Sequence, residues 1–152
     1  MTLRGVTVVC LALLAALPAF ASEPSSCGLY AYRAVITRVI DGDTVVADID
    51  LGFHTWRRDE HLRLIGIDAP EKRGETREAG LVATAALKGR VEGRRVTICT
   101  EKDERGKYGR YLAWIFLSPE PGNVAADSIN AWMVRAGYAV PYGEVGELFR
   151  GG

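Results

Sequence analysis

The sequence predicts a small β-barrel with packed helices, an α+β chain with one principal domain. Three observations support this. Short runs of alternating, β-branched residues recur along the chain. An Asp-Gly pair, a strong tight-turn signal, joins the first two runs. A single helical stripe separates the third run from the fourth.

The elements follow in order. Tyr32 to Ile40 (YRAVITRVI) reads as the first strand, Asp41-Gly42 as a turn, and Thr44 to Ile49 (TVVADI) as its partner. Leu51 to Glu60 reads as irregular and charged at its end, and Leu62 to Ile67 (LRLIGI) as a third strand that Pro70 stops. From Glu75 to Glu92 the residues Ala79, Leu81, Val82, Ala85, Ala86, Leu87 and Val91 form a helical stripe, with Gly93 at the stop position. Val96 to Thr100 and Leu112 to Leu117 are two more strands, separated by a polar loop from Glu101 to Arg110. Ser118 to Gly122 is turn-rich, and Asn123 or Asp127 caps a second helix that ends near Ala136, before Gly137. The order β-β-β-α-β-β-α, with five short strands, matches the Greek-key barrel called the OB-fold, which commonly binds oligonucleotides. Fold alone does not give chemistry.

Residues 1–21 read as a secretory signal. Arg4 supplies the positive start, Val6 to Leu17 are almost wholly apolar, and Ala19-Phe20-Ala21 fits a small-x-small cleavage rule. The apolar run is short of the roughly 20 residues that a bilayer crossing needs, so the expectation is a secreted or periplasmic protein with no membrane anchor after cleavage. Residues 22–31 form a short leader, 32–142 the barrel domain and 143–152 a short tail. The mature chain suits one domain with one core, and a monomer is expected. In an oxidising compartment Cys27 and Cys99 are candidates for a disulfide, which would close a loop of about 70 residues worth roughly 4 kcal/mol in the chain-entropy model.

Charge narrows the partners. Nineteen basic residues face nineteen acidic ones, so no global field draws in a polyanion and any such site must rest on local clusters. Most of the basic residues are arginine, whose planar fork suits phosphate.

Three motifs fall at strand ends, where a barrel can gather them. Asp41-Gly42-Asp43-Thr44 alone is a hairpin turn, and it lacks the later ligands of an EF-hand loop. In Arg63-Leu-Ile-Gly-Ile-Asp68-Ala69-Pro70-Glu71 an arginine and two carboxylates flank an apolar strand, and Pro70 stiffens the backbone before Glu71. Lys107-Tyr108-Gly109-Arg110 is a basic-aromatic turn before the fifth strand. Each motif alone reads as well as a turn, a solvated strand end or a solvated loop. Together they hold what phosphodiester hydrolysis requires. Asp43 and Asp68 offer hard oxygens for a cation, Arg63 and Arg110 offer donors for phosphoryl oxygens, and Glu71 can position water.

The stretch from Tyr32 to Tyr142 resembles the staphylococcal nuclease (thermonuclease) family. The resemblance rests on IDGDTV (Ile40 to Val45), RLIGIDAPE (Arg63 to Glu71), KYGR (Lys107 to Arg110) and VRAGYA (Val134 to Ala139). It implies Ca²⁺ as cofactor, bound by Asp43, Asp68 and the backbone carbonyl of Ala69. It implies Glu71 as general base or water-orienting group, and Arg63 and Arg110 as holders of the scissile phosphate. Lys107 and Tyr108 would contact the nucleotide, and Tyr142 would stack on a base. The expected activity is a secreted, calcium-dependent nuclease acting on DNA or RNA, with single strands preferred because an OB groove with aromatic platforms accepts unstacked bases. The rival expectation is a non-catalytic OB module that binds nucleic acid or protein.

Two departures from the family type stand out. Position 69 is alanine where the best-known member has threonine, which leaves a backbone ligand unchanged. After Tyr142 too little chain remains for the third helix that the family type packs against its barrel.

Overall fold

A computed structural model describes residues 30–105 and 110–150. The predicted signal 1–21, the part of the leader that contains Cys27, and both Lys107 and Tyr108 lie outside the described residues. In chain order the elements are β1 (Ala31–Asp41), β2 (Thr44–Asp50), β3 (Trp56–Leu64), β4 (Ile67–Asp68), α1 (Arg77–Val91), β5 (Arg95–Arg105) and β6 (Tyr111–Phe116). They are followed by α2 (Val124–Asp127), α3 (Ile129–Arg135) and β7 (Val140–Pro141), with 3-10 turns at Gly74–Thr76 and Val145–Phe149. The order β1-β2-β3-β6-β5 closes into the expected barrel. Neighbouring barrel strands run antiparallel except β3 and β6, which are parallel.

The barrel interior is filled by side chains. On β1 the alternation buries Ala34 and Ile36, then a register shift between Ile36 and Arg38 puts Val39 on the inner face. Such a bulge adds one residue to the strand and bends it, which a small closed barrel requires. Val45, Leu62, Leu64, Ile98 and Ile115 complete the interior, and Leu87, Val91, Ile129 and Met133 pack on it from the helices. Each such burial contributes about 1.5–3 kcal/mol relative to exposure. Asn130 is a fully buried polar anchor: its side chain accepts from Ile115 N–H and donates to the Ile65 and Ala113 carbonyls. It thereby fixes α3 against the strand ends that carry the site.

Several boundaries differ from expectation. The third strand is Trp56–Leu64 rather than Leu62–Ile67, so the segment read as irregular is half a strand. Its charged residues Arg57, Arg58 and Asp59 are exposed, because that half pairs with β2 while projecting beyond the core. The run Leu62 to Ile67 breaks at Gly66, whose φ of +75° belongs to a turn. Beyond that turn the chain forms the separate two-residue strand β4, paired with β7. The polar stretch 101–105 extends β5 instead of forming a loop.

The helix α1 is correctly placed and buries Leu87 and Val91 as expected, but its inner face is narrower than the predicted stripe and includes small residues outside it. Gly80, Ala83, Leu87 and Val91 face inward, whereas Leu81 and Val82 are exposed. Near its start the helix approaches other backbone so closely that small residues fit where large apolar ones do not. The single predicted second helix is two, α2 capped by Asn123 and α3 capped by Ser128. Asp127 is not a cap: its carboxylate accepts from the Asn123 N–H.

After β7, the 3-10 turn Val145–Phe149 packs against one side of the barrel. Phe149 meets Trp114 edge-on at 5.9 Å between ring centres. It joins Val145 over the buried cluster of Ile65, Cys99, Trp114, Phe116 and Val124. Among the described residues no helix is long and apolar enough to cross a membrane.

Candidate active site

The β1–β2 hairpin turns at Gly42 and Asp43, with Asp41 facing Thr44, one residue later than the Asp41-Gly42 turn expected. The turn is cinched by the Asp43 N–H, which donates to Asp41 Oδ1 at 3.1 Å. Gly42 matters for space, since a Cβ there would fall 2.6 Å from the Ala69 Cβ and 3.0 Å from the Ala83 Cβ. A glycine at this position therefore lets the hairpin tip, the loop after β4 and helix α1 meet.

Asp43 is the hub of the site and is 4% exposed. Its Oδ1 accepts from Arg63 Nη1 at 2.6 Å and from the Thr44 hydroxyl at 3.0 Å, while Oδ2 accepts from the Ala69 N–H at 3.1 Å. Burial pushes the Asp43 carboxyl up to about 6, and the Arg63 charge and the Ala69 N–H pull against that only in part. Arg63 ends β3 and bridges two carboxylates, reaching Asp68 Oδ1 with Nη2 at 2.9 Å. Burial disfavours the Arg63 charge, but Asp43 and Asp68 outweigh it and hold the guanidinium pKa above its ordinary range. Asp68 sits on β4 with its side chain half exposed.

Glu71 follows Pro70 and is exposed at the cleft edge. Its backbone is held on one side by Thr76, whose hydroxyl donates to the Glu71 carbonyl at 3.1 Å. The neighbouring Lys72 ammonium reaches back to the Ile40 carbonyl of β1. Beneath it lies Gly80 of α1, where a Cβ would fall 2.5 Å from the Glu71 carbonyl carbon and 2.6 Å from the Pro70 carbonyl oxygen. Arg110, immediately before β6, donates from Nη1 to the Thr44 hydroxyl at 3.0 Å, so Thr44 links it to Asp43.

These side chains line one cleft of about 500 Å³, bounded by Asp41, Asp43, Arg63, Asp68, Glu71, Arg110 and Tyr142. Tyr142 is 61% exposed at its rim and is anchored by its N–H to the Gly66 carbonyl at 2.8 Å. The structure thus gathers the sequence-predicted residues Asp43, Arg63, Asp68, Ala69, Glu71, Arg110 and Tyr142, which come from separate strands and loops. Lys107 and Tyr108 lie outside the described residues. Cys99 is buried on β5 and disulfide-bonded.

Sequence reasoning missed the parts played by Thr44, Gly42 and Gly80. For Gly80 the available signal was a glycine inside a helical pattern, which costs helix stability and so points to a packing reason, although Gly89 on the same helix has open space around it.

Among the described residues no group of three or more His, Cys, Asp or Glu side chains is arranged to hold a metal ion. Asp43 and Asp68 share the Arg63 guanidinium instead. Their oxygen donors nonetheless suit a hard divalent cation. One guanidinium leaves the burial of Asp43 undercompensated, so further positive charge beside it is favoured.

Residues 61–149 match the family described as staphylococcal nuclease homologue. The match includes Arg63, Asp68, Glu71, Arg110 and Tyr142, and the fold brings Asp43 to them from ahead of it. The thermonuclease of Staphylococcus intermedius is 36% identical over 93 residues, which is 59% of this chain and 52% of that protein. An endonuclease of Escherichia coli, named uncharacterized, is 37% identical over 108 residues, 70% of this chain and 59% of that protein. Protein ParB of Escherichia coli is 37% identical over 117 residues, 72% of this chain and 57% of that protein. The chain thus spans a little over half the length of these relatives. On its barrel, its cleft and these matches, the chain belongs to the staphylococcal nuclease homologue family.

Proposed function

We propose that this protein is a calcium-dependent nuclease that hydrolyses phosphodiester bonds in DNA or RNA. One observation carries the reading: Asp43, Arg63, Asp68, Glu71 and Arg110 converge on a single cleft from separate elements. Arg63 and Arg110 would hold the phosphate, because a guanidinium fork matches paired phosphoryl oxygens and its bonds strengthen as charge develops there. Arg63 spends N–H groups on Asp43 and Asp68 and keeps others for that purpose. Glu71, exposed and not drawn into an ion pair among the described residues, would accept a proton from water or orient it for attack. Tyr142 at the rim offers a face for a base.

Asp43, Asp68 and the Ala69 carbonyl would hold Ca²⁺, which supplies charge neutralisation at the phosphate when bound. Secretion is part of the proposal. The apolar run Val6 to Leu17 with its Ala19-Phe20-Ala21 site supports it, and so does a disulfide-bonded Cys99, for which Cys27 is the proposed partner.

Digestion of a single-stranded oligonucleotide in Ca²⁺, in EDTA and after Ca²⁺ is restored tests the reading. Cleavage should fall by at least about 10²-fold in EDTA and recover on restoration, as expected when a cation stabilises the transition state. Equal cleavage in EDTA would exclude calcium dependence. An oligonucleotide bound but uncut in excess Ca²⁺ would favour the binding-module reading.

A further inference from the structure

A second cleft of about 500 Å³ lies away from the candidate active site. Its floor is apolar, formed by Ala34, Val96 and Leu117, and Arg33, Arg95 and Trp56 stand around it. The strands place it. β1 contributes Arg33 here and Asp41 to the active cleft, β2 contributes Asp50 here and begins at Thr44 beside Asp43, and β3 contributes Trp56 here and Arg63 there. Each strand thus reaches the two clefts from opposite ends, seven or eight residues apart on β1 and β3. At about 3.3 Å per residue the separation along a strand is about 25 Å.

The side chains around this cleft have the chemistry of a single-strand binder. Arg33 and Arg95 are exposed, and among the described residues neither is in an ion pair. This sets them apart from Arg57, Arg58 and Arg63, which are paired with Glu60, Asp48 and Asp43. The one carboxylate at the cleft, Asp50, accepts from the Gly52 N–H at 2.8 Å. Trp56 is 38% exposed, and Arg58 lies over its ring at 4.7 Å while held by Asp48 at 2.6 Å. That clamp holds the indole in place at the edge of the cleft, where it remains partly exposed. In a chain with no net charge, two uncommitted arginines beside an aromatic plane are a local anion site, since no global field supplies one.

We propose that this cleft is a second binding site for single-stranded nucleic acid, which grips the strand beyond the segment being cut. Arg33 and Arg95 take phosphates and Trp56 stacks on a base. The proposal rests on the reading of the protein as one that handles nucleic acid, and it predicts a dependence on substrate length. A strand long enough to reach both clefts gains affinity, and a dinucleotide does not.

The test uses the full chain and a fluorescent oligothymidylate of about 30 nucleotides, long relative to the roughly 4–16 nucleotides of one OB site. Binding is followed by anisotropy in EDTA across a salt series, and dinucleotide turnover is followed separately in Ca²⁺. Arg33→Ala/Arg95→Ala should weaken binding about tenfold near 0.1 M salt and reduce the log–log salt slope by about 1.4, or about 0.7 for each phosphate no longer neutralised. Arg33→Lys/Arg95→Lys should keep the slope. Trp56→Leu should weaken binding by about tenfold with the slope unchanged, the mark of lost stacking. Dinucleotide turnover should stay within about twofold of the parent in each variant, because so short a substrate does not extend to the second cleft. Unaltered affinity and slope in the alanine pair overturn the proposal, and so does an equal loss of dinucleotide turnover. If nothing is cut but the anisotropy pattern holds, the nuclease reading fails and this site stands. Intact cleavage with flat anisotropy gives the reverse.

Discussion

Arg63→Ala is expected to lower the cleavage rate by about 10²–10³-fold, the usual cost of deleting one donor to developing charge. It should also destabilise the protein in a pH-dependent way. Asp43 is buried and its carboxyl is already raised from 3.8 to about 6 with Arg63 beside it. A raised acid means that the folded state binds protons that the unfolded state has released, so stability falls as pH rises between those values. For the parent in EDTA this amounts to about 3 kcal/mol, full stability being present below about 4 and lost through about 6. Without Arg63 the charged form is disfavoured further, so the loss continues to higher pH. Below about pH 4 Asp43 is neutral in both states and the variant should differ little through this route. Near pH 8 it should be less stable by about 3–5 kcal/mol, since removing one partner of a buried ion pair costs on that order. Denaturant titrations of both proteins in EDTA at several pH values measure this. A stability difference that does not change with pH would remove Asp43 from the account.

Gly80→Ala is the second large effect, and it acts without touching any reacting group. Alanine is favoured over glycine inside a helix by about 1 kcal/mol, so on propensity alone the variant gains stability. Here the new methyl would press on the Pro70 and Glu71 backbone, which cannot swing aside as a flexible side chain would. Overpacking of this kind costs about 1–3 kcal/mol, and the net result should be destabilisation. The loop that carries Glu71 must shift, and a displacement near 1 Å costs roughly 10²-fold in rate. We expect a folded variant with slightly lower Tm, cleavage reduced at least about tenfold and oligonucleotide affinity little changed. Gly89→Ala, with open space around it on the same helix, serves as the control and should be stabilised with normal activity. Full activity in Gly80→Ala would show that α1 does not position Glu71.

These glycines show where the sequence was legible and where it was not. Asp43, Arg63, Asp68, Glu71 and Arg110 could be picked out because their chemistry is carried by residue type, and strand ends are where a barrel gathers side chains. The small residues that let those ends meet carry no such mark. Gly42 is the turn residue its sequence suggests and a contact residue as well, and Gly80 lies in a stripe where apolarity alone gives no reason to notice it. The same bias makes the α1 stripe too wide at its start, because Leu81 and Val82 are apolar yet exposed while Gly80 and Ala83 are buried beside the expected Leu87 and Val91. β3 was misplaced for a related reason. Periodicity finds strands that bury one face, and Trp56 to Asp59 bury neither. The tail carries no periodic pattern to read, and its packing comes from Phe149, which a 3-10 turn sets against Trp114 over the second buried cluster.

The central claim is that Glu71 is held at the cleft to activate water on a phosphate gripped by Arg63 and Arg110. The most direct measurement compares the parent with Glu71→Gln in saturating Ca²⁺, following binding and cleavage of the same fluorescent single strand. Glutamine keeps the shape and removes the base. Binding should stay within about twofold while the cleavage rate falls by about 10²–10⁴, the range that a positioned general base contributes. A Glu71→Gln protein that cuts as fast as the parent would contradict the account.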